Sequence, residues 1–301
     1  MFRIKLFVVL FGILTISESC GNRSGSSESG QKKTLSVSIP PQKYFIEQIA
    51  GDEFNINIMI PPGANPVTYD PSPGKMKEVA NSVAYIKVGH LAFEKIWMDK
   101  FTSVNSDMKV IDQSKYTEII QVDTKTKGHN HDHGTGVDPH IWTSPKAVKK
   151  QVKAIREGLT QINPENESSY KNNYRNFLNN IDTLDSFVES RLGDVKNKTF
   201  MVFHPALSYY ARDYGLNQIS IEFEGKKPTP SKLKEIVDLA RKEQIRTVFI
   251  QKQFNIDNAK TVAEEIGGTL NVINPLDSNW VQTVKDITEK IASQSETSQK
   301  K

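Results

Sequence analysis

Short β-prone runs alternate with helical patterns along most of the chain, and this alternation restricts the fold more than any other feature. In the first half, strands are predicted at Leu35–Ile39, Phe54–Ile60, Val83–Val88 and Met108–Asp112. Helices are predicted at Gln42–Ala50 (stopped by Gly51), Lys75–Ser82, around Phe93–Phe101, and after Ser144. The Phe54–Ile60 run places Phe54, Ile56, Ile58 and Ile60 on one face, the period of a strand. The helix after Ser144 carries Val148, Val152, Ile155, Leu159 and Ile162 at helical spacing and ends at Asn163-Pro164. The order β, α repeated four times predicts a parallel sheet covered by helices.

The second half follows the same plan. Strands at Thr199–Phe203, Gln218–Glu222, Thr247–Ile250 and Leu270–Ile273 alternate with helices at Ala206–Tyr214, Pro230–Glu243, Asp257–Ile266 and Trp280–Ala292. Thr229 suits a helix N-cap and Pro230 a first helical turn. The halves share an order of elements but no identity-level repeat. Between them, Glu165–Leu192 carries Tyr170, Tyr174, Phe177, Ile181, Leu184 and Val188 at spacings of four and three, and Gly193 ends the run. Such a stripe suits a coiled-coil dimer, but it lasts only about three heptads. A stiff helix about 40 Å long lying across two lobes needs the same stripe. The expected class is therefore α/β: two lobes, each a four-stranded, mostly parallel sheet flanked by helices, joined by one long backbone helix. The expected divisions are a lobe at 34–163, the connecting helix at 164–193, a second lobe at 194–293 and a tail at 294–301.

Ahead of the first lobe, Arg3 and Lys5 precede an apolar run, Leu6–Ile16, that suits the core of a signal peptide and is short for a membrane span. Export is therefore expected, with residues 1–20 as the signal segment. Cys20 is the sole cysteine, so no intramolecular disulfide can form. Its place after Ser19 points to lipidation, although Ser17 stands where an aliphatic residue is usual in a lipidation signal. A flexible Ser/Gly spacer, 21–33, would then tether a water-soluble body at the cell envelope; removal of Cys20 would leave it free. With 39 basic and 35 acidic residues dispersed along 301, nucleic acid is not an expected partner. A monomer is expected.

Four of the six histidines, His129, His131, His133 and His140, fall within Gly128–Pro145, GHNHDHGTGVDPHIWTSP. Imidazole is a frequent ligand of zinc, so their density suggests a metal. His129, His131 and His133 also suit an exposed polar loop with no role. His140 differs, because Ile141 and Trp142 follow it and should hold its ring in packing. Parallel sheets bind ligands beyond the carboxyl ends of their strands. His90 follows Val83–Val88 and Gly89, and His204 follows Thr199–Phe203. Glu222, Gln251 and the Asn274–Asp277 turn end the other strands of the second half. The plain alternatives are a solvent-facing turn for His90, a helix-start residue for His204, a charged rim for Glu222 and Glu224, and a helix cap for Asp277.

Six motifs then carry a resemblance: PPGANPVTYDPSP (Pro61–Pro73), DPHIWTSP (Asp138–Pro145), FHPALSYYARDYGL (Phe203–Leu216), KPTPSKL (Lys227–Leu233), VFIQKQF (Val248–Phe254) and NPLDSNW (Asn274–Trp280). In order and spacing the chain resembles the zinc/manganese substrate-binding lipoproteins of bacterial ABC transporters, and the histidine-rich loop resembles the zinc-uptake branch. The resemblance implies two lobes with a connecting helix, little movement on binding, and delivery of a divalent metal, Zn2+ rather than Mn2+, to a membrane permease. It also implies that His140 and His204 are metal ligands. The family pattern has a further histidine where this chain has Val67, and often an aspartate where it has Asn274. His90 is the expected replacement for the first, with Glu222 or Asp277 supplying an oxygen; three imidazoles and a carboxylate or water suit tetrahedral zinc, whereas manganese prefers more oxygen.

Two other functions are compatible with the same residues: a lipid-anchored metal scavenger or adhesin without a transporter, and an exported zinc hydrolase. The sequence holds neither HExxH nor G-x-S-x-G, so an enzyme is not expected. His129, His131 and His133 are expected to collect zinc ahead of the main site. Deleting 129–133 should slow loading at scarce zinc, followed by stopped-flow fluorescence, and leave the equilibrium affinity nearly unchanged; a collapse in affinity would make these histidines primary ligands.

Overall fold

The computed structural model describes residues 32–122, 136–222 and 228–297. The signal segment, Cys20 and the loop histidines His129, His131 and His133 lie outside the described residues. The first lobe runs β1 (Thr34–Val37), α1 (Pro40–Ala50), β2 (Asn55–Ile58), α2 (Pro73–Ala80), β3 (Ser82–Lys87), α3 (Ala92–Val104), β4 (Lys109–Asp112) and α4 (Pro145–Ile162). The connecting helix α5 spans Glu167–Gly193. The second lobe runs β5 (Thr199–Val202), α6 (Ser208–Asp213), β6 (Asn217–Ser220), α7 (Pro230–Lys242), β7 (Thr247–Gln251), α8 (Ile256–Glu265), β8 (Thr269–Ile273) and α9 (Trp280–Thr297). The sheet orders are β2-β1-β3-β4 and β6-β5-β7-β8, the same winding twice, and every pairing is parallel.

Central strands β5 and β7 are buried at every position, as a sheet covered on both faces requires, while the edge strands β6 and β8 are more exposed. Alternation along β5 sorts the two faces. Phe200 and Val202 join an apolar core that runs through the first lobe, α5 and α9, whereas Met201 and Phe203 join a separate cluster under α7 and α8. The stripe of α5 buries Tyr170, Phe177, Ile181, Leu184, Val188 and Leu192 against α1, α4 and α9 of the same chain. The coiled-coil alternative thus loses the surface it would have used.

Several boundaries moved for local reasons. Helix α2 begins at Pro73 because the Ser72 hydroxyl accepts the Lys75 N–H at 3.4 Å. Helix α9 continues past Ala292 to Thr297. Strand β6 ends at Ser220, which leaves Glu222 on the loop beyond it. Three 3-10 turns, Gln113–Tyr116, Ile141–Thr143 and Pro164–Asn166, add to the expected elements. Gly158 of α4 packs against β4: an added Cβ would come within 2.3 Å of the Ile111 side chain.

The lobes share one core. Trp280 of α9 packs between Phe45 of α1 and Phe177 of α5, with ring centroids 5.2 and 6.5 Å away. Its indole N–H donates to the Trp142 carbonyl at 2.7 Å, and the Trp142 indole donates to the Pro275 carbonyl at 2.9 Å. Each lobe thereby satisfies a backbone acceptor of the other through a buried aromatic. Trp280→Ala is expected to cost about 3–5 kcal/mol and to shift a single unfolding transition in urea; separate melting of the lobes in the parent protein would contradict the shared core.

Candidate metal centre

Two loops, one from each lobe, bring His140 and His204 together. His140 precedes the Ile141–Thr143 turn, whose Thr143 N–H and hydroxyl both donate to the His140 carbonyl, at 3.3 and 2.9 Å. His204 follows β5, and the Gln251 side chain at the end of β7 clamps its peptide: Nε2 donates to the His204 carbonyl at 2.6 Å and Oε1 accepts the His204 N–H at 3.3 Å. Phe254 stacks on the His204 ring with centroids 4.7 Å apart and planes 21° apart. Both imidazoles are largely buried, 14% and 16% exposed, so their direction is set by packing.

Each ring has its Nδ1 against a carboxylate. Asp138 Oδ1 lies 2.7 Å from His140 Nδ1 and also accepts the His140 N–H at 2.8 Å; Glu222 Oε1 lies 3.2 Å from His204 Nδ1. A carboxylate at Nδ1 holds the proton there and leaves Nε2 with a free lone pair. The two Nε2 atoms face each other at 3.2 Å. Two lone pairs at that distance repel unless a cation lies between or beside them. Two nitrogens on one tetrahedral zinc are about 3.3 Å apart, given Zn–N bonds of about 2.0–2.1 Å. The carboxylates behind the rings add two negative charges that favour a dication.

Burial pushes the His204 imidazole below its ordinary value, with Glu222 pulling upward and His140 pressing downward. Burial would raise the Asp138 carboxyl, yet His140 and the Ser208 side chain hold it below the usual carboxylate range. Burial also pushes the Tyr209 phenol up to about 12, so its proton stays in place.

Of the residues singled out in the sequence, His140 and His204 meet directly. Glu222 reaches the far nitrogen of His204, behind the ring. Asp277 is engaged in its own turn: Oδ1 accepts the Asn279 N–H at 3.0 Å and Oδ2 accepts from the Asn274 amide at 3.0 Å. His90 is half-buried among Asp112, Lys87 and Lys95, and burial lowers its imidazole. Among the described residues, no group of three His, Cys, Asp or Glu side chains is gathered closely enough to hold an ion. Val67 is exposed, with its N–H on Asn65 Oδ1 at 2.9 Å. Sequence reasoning missed the orienting part of Asp138 and the Phe254 stack; the Asp-Pro-His spacing was the available signal for the first.

Two parallel α/β lobes joined by one helix, with a histidine from each meeting the other, define a two-lobed binding protein. The family model described as zinc-uptake complex component A, periplasmic (ZnuA), matches residues 36–294. The chain belongs to this family. It is 27% identical over 290 residues to the high-affinity zinc uptake system protein ZnuA of Bacillus subtilis, covering 90% of this chain and 88% of that one. It is 26% identical over 264 residues to the zinc-binding lipoprotein AdcA of Streptococcus pneumoniae, covering 85% of this chain. The chain spans about half, 52%, of that relative's length. A crystal structure of ZnuA superposes with a TM-score of 0.82 at 33% identity, over 88% of this chain and 100% of that one. The laminin-binding protein of Streptococcus agalactiae shares the fold, with a TM-score of 0.77 at 22% identity over 88% of this chain and 100% of that one.

The lowered His204 imidazole makes stability depend on pH. A group whose folded pKa lies below its unfolded value of about 6.5 binds fewer protons when folded. Its contribution is present above about pH 6.5 and is lost as pH falls towards the folded value. The melting temperature of the metal-free protein is expected to fall between about pH 7.5 and about pH 5.5, and to fall less in His204→Gln. Equal slopes would show that the ring is not desolvated.

Proposed function

We propose that this protein captures zinc between its lobes, with His140 and His204 as ligands, and delivers it to the membrane permease of an ABC transporter. The observation that carries the reading is the 3.2 Å approach of the two Nε2 atoms, each backed by a carboxylate. Zinc is favoured over manganese because the donors facing the gap are nitrogens. The remaining coordination positions fall to water or to His90, the candidate from the first lobe. His129, His131 and His133 serve as a collecting loop. Membership in a periplasmic uptake family supports an exported protein, and the lipoprotein relative supports acylation of Cys20 as its tether. No helix among the described residues is long and apolar enough to cross a membrane.

Zinc titration with a competing chelator tests the assignment. His140→Ala and His204→Ala are each expected to weaken binding by roughly two orders of magnitude, about 2.7 kcal/mol. Parent-like affinity in either variant removes the site from the cleft. His90→Ala decides the open position: a comparable loss assigns it to His90, and unchanged affinity assigns it to water.

A further inference from the structure

Helix α6 starts four residues after His204, yet its side chains hold the segment that carries the other histidine. The Tyr209 hydroxyl, fully buried, donates to the Asp138 carbonyl at 2.7 Å and accepts the Ile120 N–H at 3.1 Å. Ile120 and Asp138 are themselves paired, through the Asp138 N–H on the Ile120 carbonyl at 2.9 Å. One hydroxyl of the second lobe thus closes a three-way junction on the first. The Ser208 side chain helps hold the Asp138 carboxyl below its ordinary value, and its hydroxyl accepts from Gln218 Nε2 at 3.0 Å. Arg212 donates to the Glu118 carbonyl at 3.2 Å, and Asp213 accepts the hydroxyl of Ser144, the N-cap of α4. The stretch containing His140 is gripped by α6 on both sides of the histidine.

Asp138 is the residue through which this grip reaches the metal-facing nitrogen. Its peptide oxygen is held by Tyr209, and its Oδ1 holds both the His140 N–H and Nδ1. Only one residue lies between the phenol and the imidazole. We propose that the Tyr209 hydroxyl is a positioning group for metal capture: by fixing the Asp138 peptide, it lets the second lobe aim His140 Nε2 at His204. The inference rests on the metal reading of the histidine pair given above. It gives α6 a role in setting the gap between the ligands, since the same short helix follows one histidine and anchors the other. The junction thus acts on the gap locally, alongside the shared aromatic core that limits movement between the halves. Loss of the hydroxyl would leave the Asp138 carbonyl and the Ile120 N–H short of a partner in a buried place, and the Asp138 side chain would lose its fixed direction.

Tyr209→Phe removes the oxygen and keeps the ring. Its zinc dissociation constant, measured by chelator competition, is expected to rise about tenfold or more. Tyr210→Phe is the control. Tyr210 is equally buried, and its hydroxyl bonds Thr288 Oγ1 at 2.7 Å within the second lobe, so its loss should lower the melting temperature without moving zinc affinity. In the metal-free protein, imidazole nitrogen spectra of Tyr209→Phe should show His140 losing its single Nδ1–H tautomer while His204 keeps its own. Ser208→Ala should move both readouts the same way by less, and it carries the test if Tyr209→Phe does not fold. Parent-like affinity with an unchanged His140 spectrum would overturn the proposal, as would an equal loss of affinity in Tyr210→Phe. If the parent binds no zinc, the reading of the pair as a metal site fails, and the metal-free His140 spectrum still decides whether Tyr209 positions the ring.

Discussion

Two imidazole Nε2 atoms aimed at each other across 3.2 Å, each ring backed by a carboxylate at Nδ1, form the contact on which the site depends, and much of its surroundings is organised to maintain it. Each ring would turn away if free to do so. His140 is prevented by Asp138, which binds both its backbone N–H and its Nδ1. His204 is prevented by Glu222 on Nδ1, Phe254 on the ring face and Gln251 on both ends of its peptide. On the proposed zinc reading, a metal arriving at such a pair meets rings whose rotamer entropy is already spent, so more of the bond energy appears as affinity.

Ring direction alone would not suffice if the lobes could drift. The histidines lie 64 residues apart and on different sheets, so their separation inherits any movement between the halves. The shared core limits that movement. Trp280, Phe45 and Phe177 come from α9, α1 and α5, and the two indole N–H groups bond backbone carbonyls reciprocally across the boundary. Opening the lobes by a hinge would expose these aromatics and leave four buried polar groups without partners, a cost of several kcal/mol.

The layout was legible because its signals are local. Repeated β and α periods gave both sheets, and the stripe from Tyr170 to Val188 gave the connecting helix. His140 and His204 stood out because each follows a strand or precedes a packed aromatic, which places it at a sheet's binding edge. Other features depended on contacts between distant residues. Nothing near Glu222 says that it will reach Nδ1 rather than a metal, because β6 had to end at Ser220 before the loop could turn it behind the ring. Tyr209 reads as a core aromatic until its hydroxyl is seen to meet Asp138, 71 residues away. Phe254 lies four residues past a β7 that the sequence ended at Ile250, and its stack on His204 needed the two loops side by side.

Val67 bears on how the proposed site would hold a metal. An exposed valine offers no donor, so the described geometry supplies two nitrogens facing the gap and leaves the rest to solvent or to a residue that must approach. Zinc–nitrogen bonds tolerate only a few tenths of an ångström. A pair of ligands anchored on separate lobes can therefore be undone by a displacement far smaller than a hinge opening. Helix α6 holds the His140 segment and follows His204, so the Asp138 junction and the aromatic core are separate contacts bearing on the same pair of rings. On the proposed zinc reading, the core resists large motion while zinc–nitrogen bonds respond to small motion.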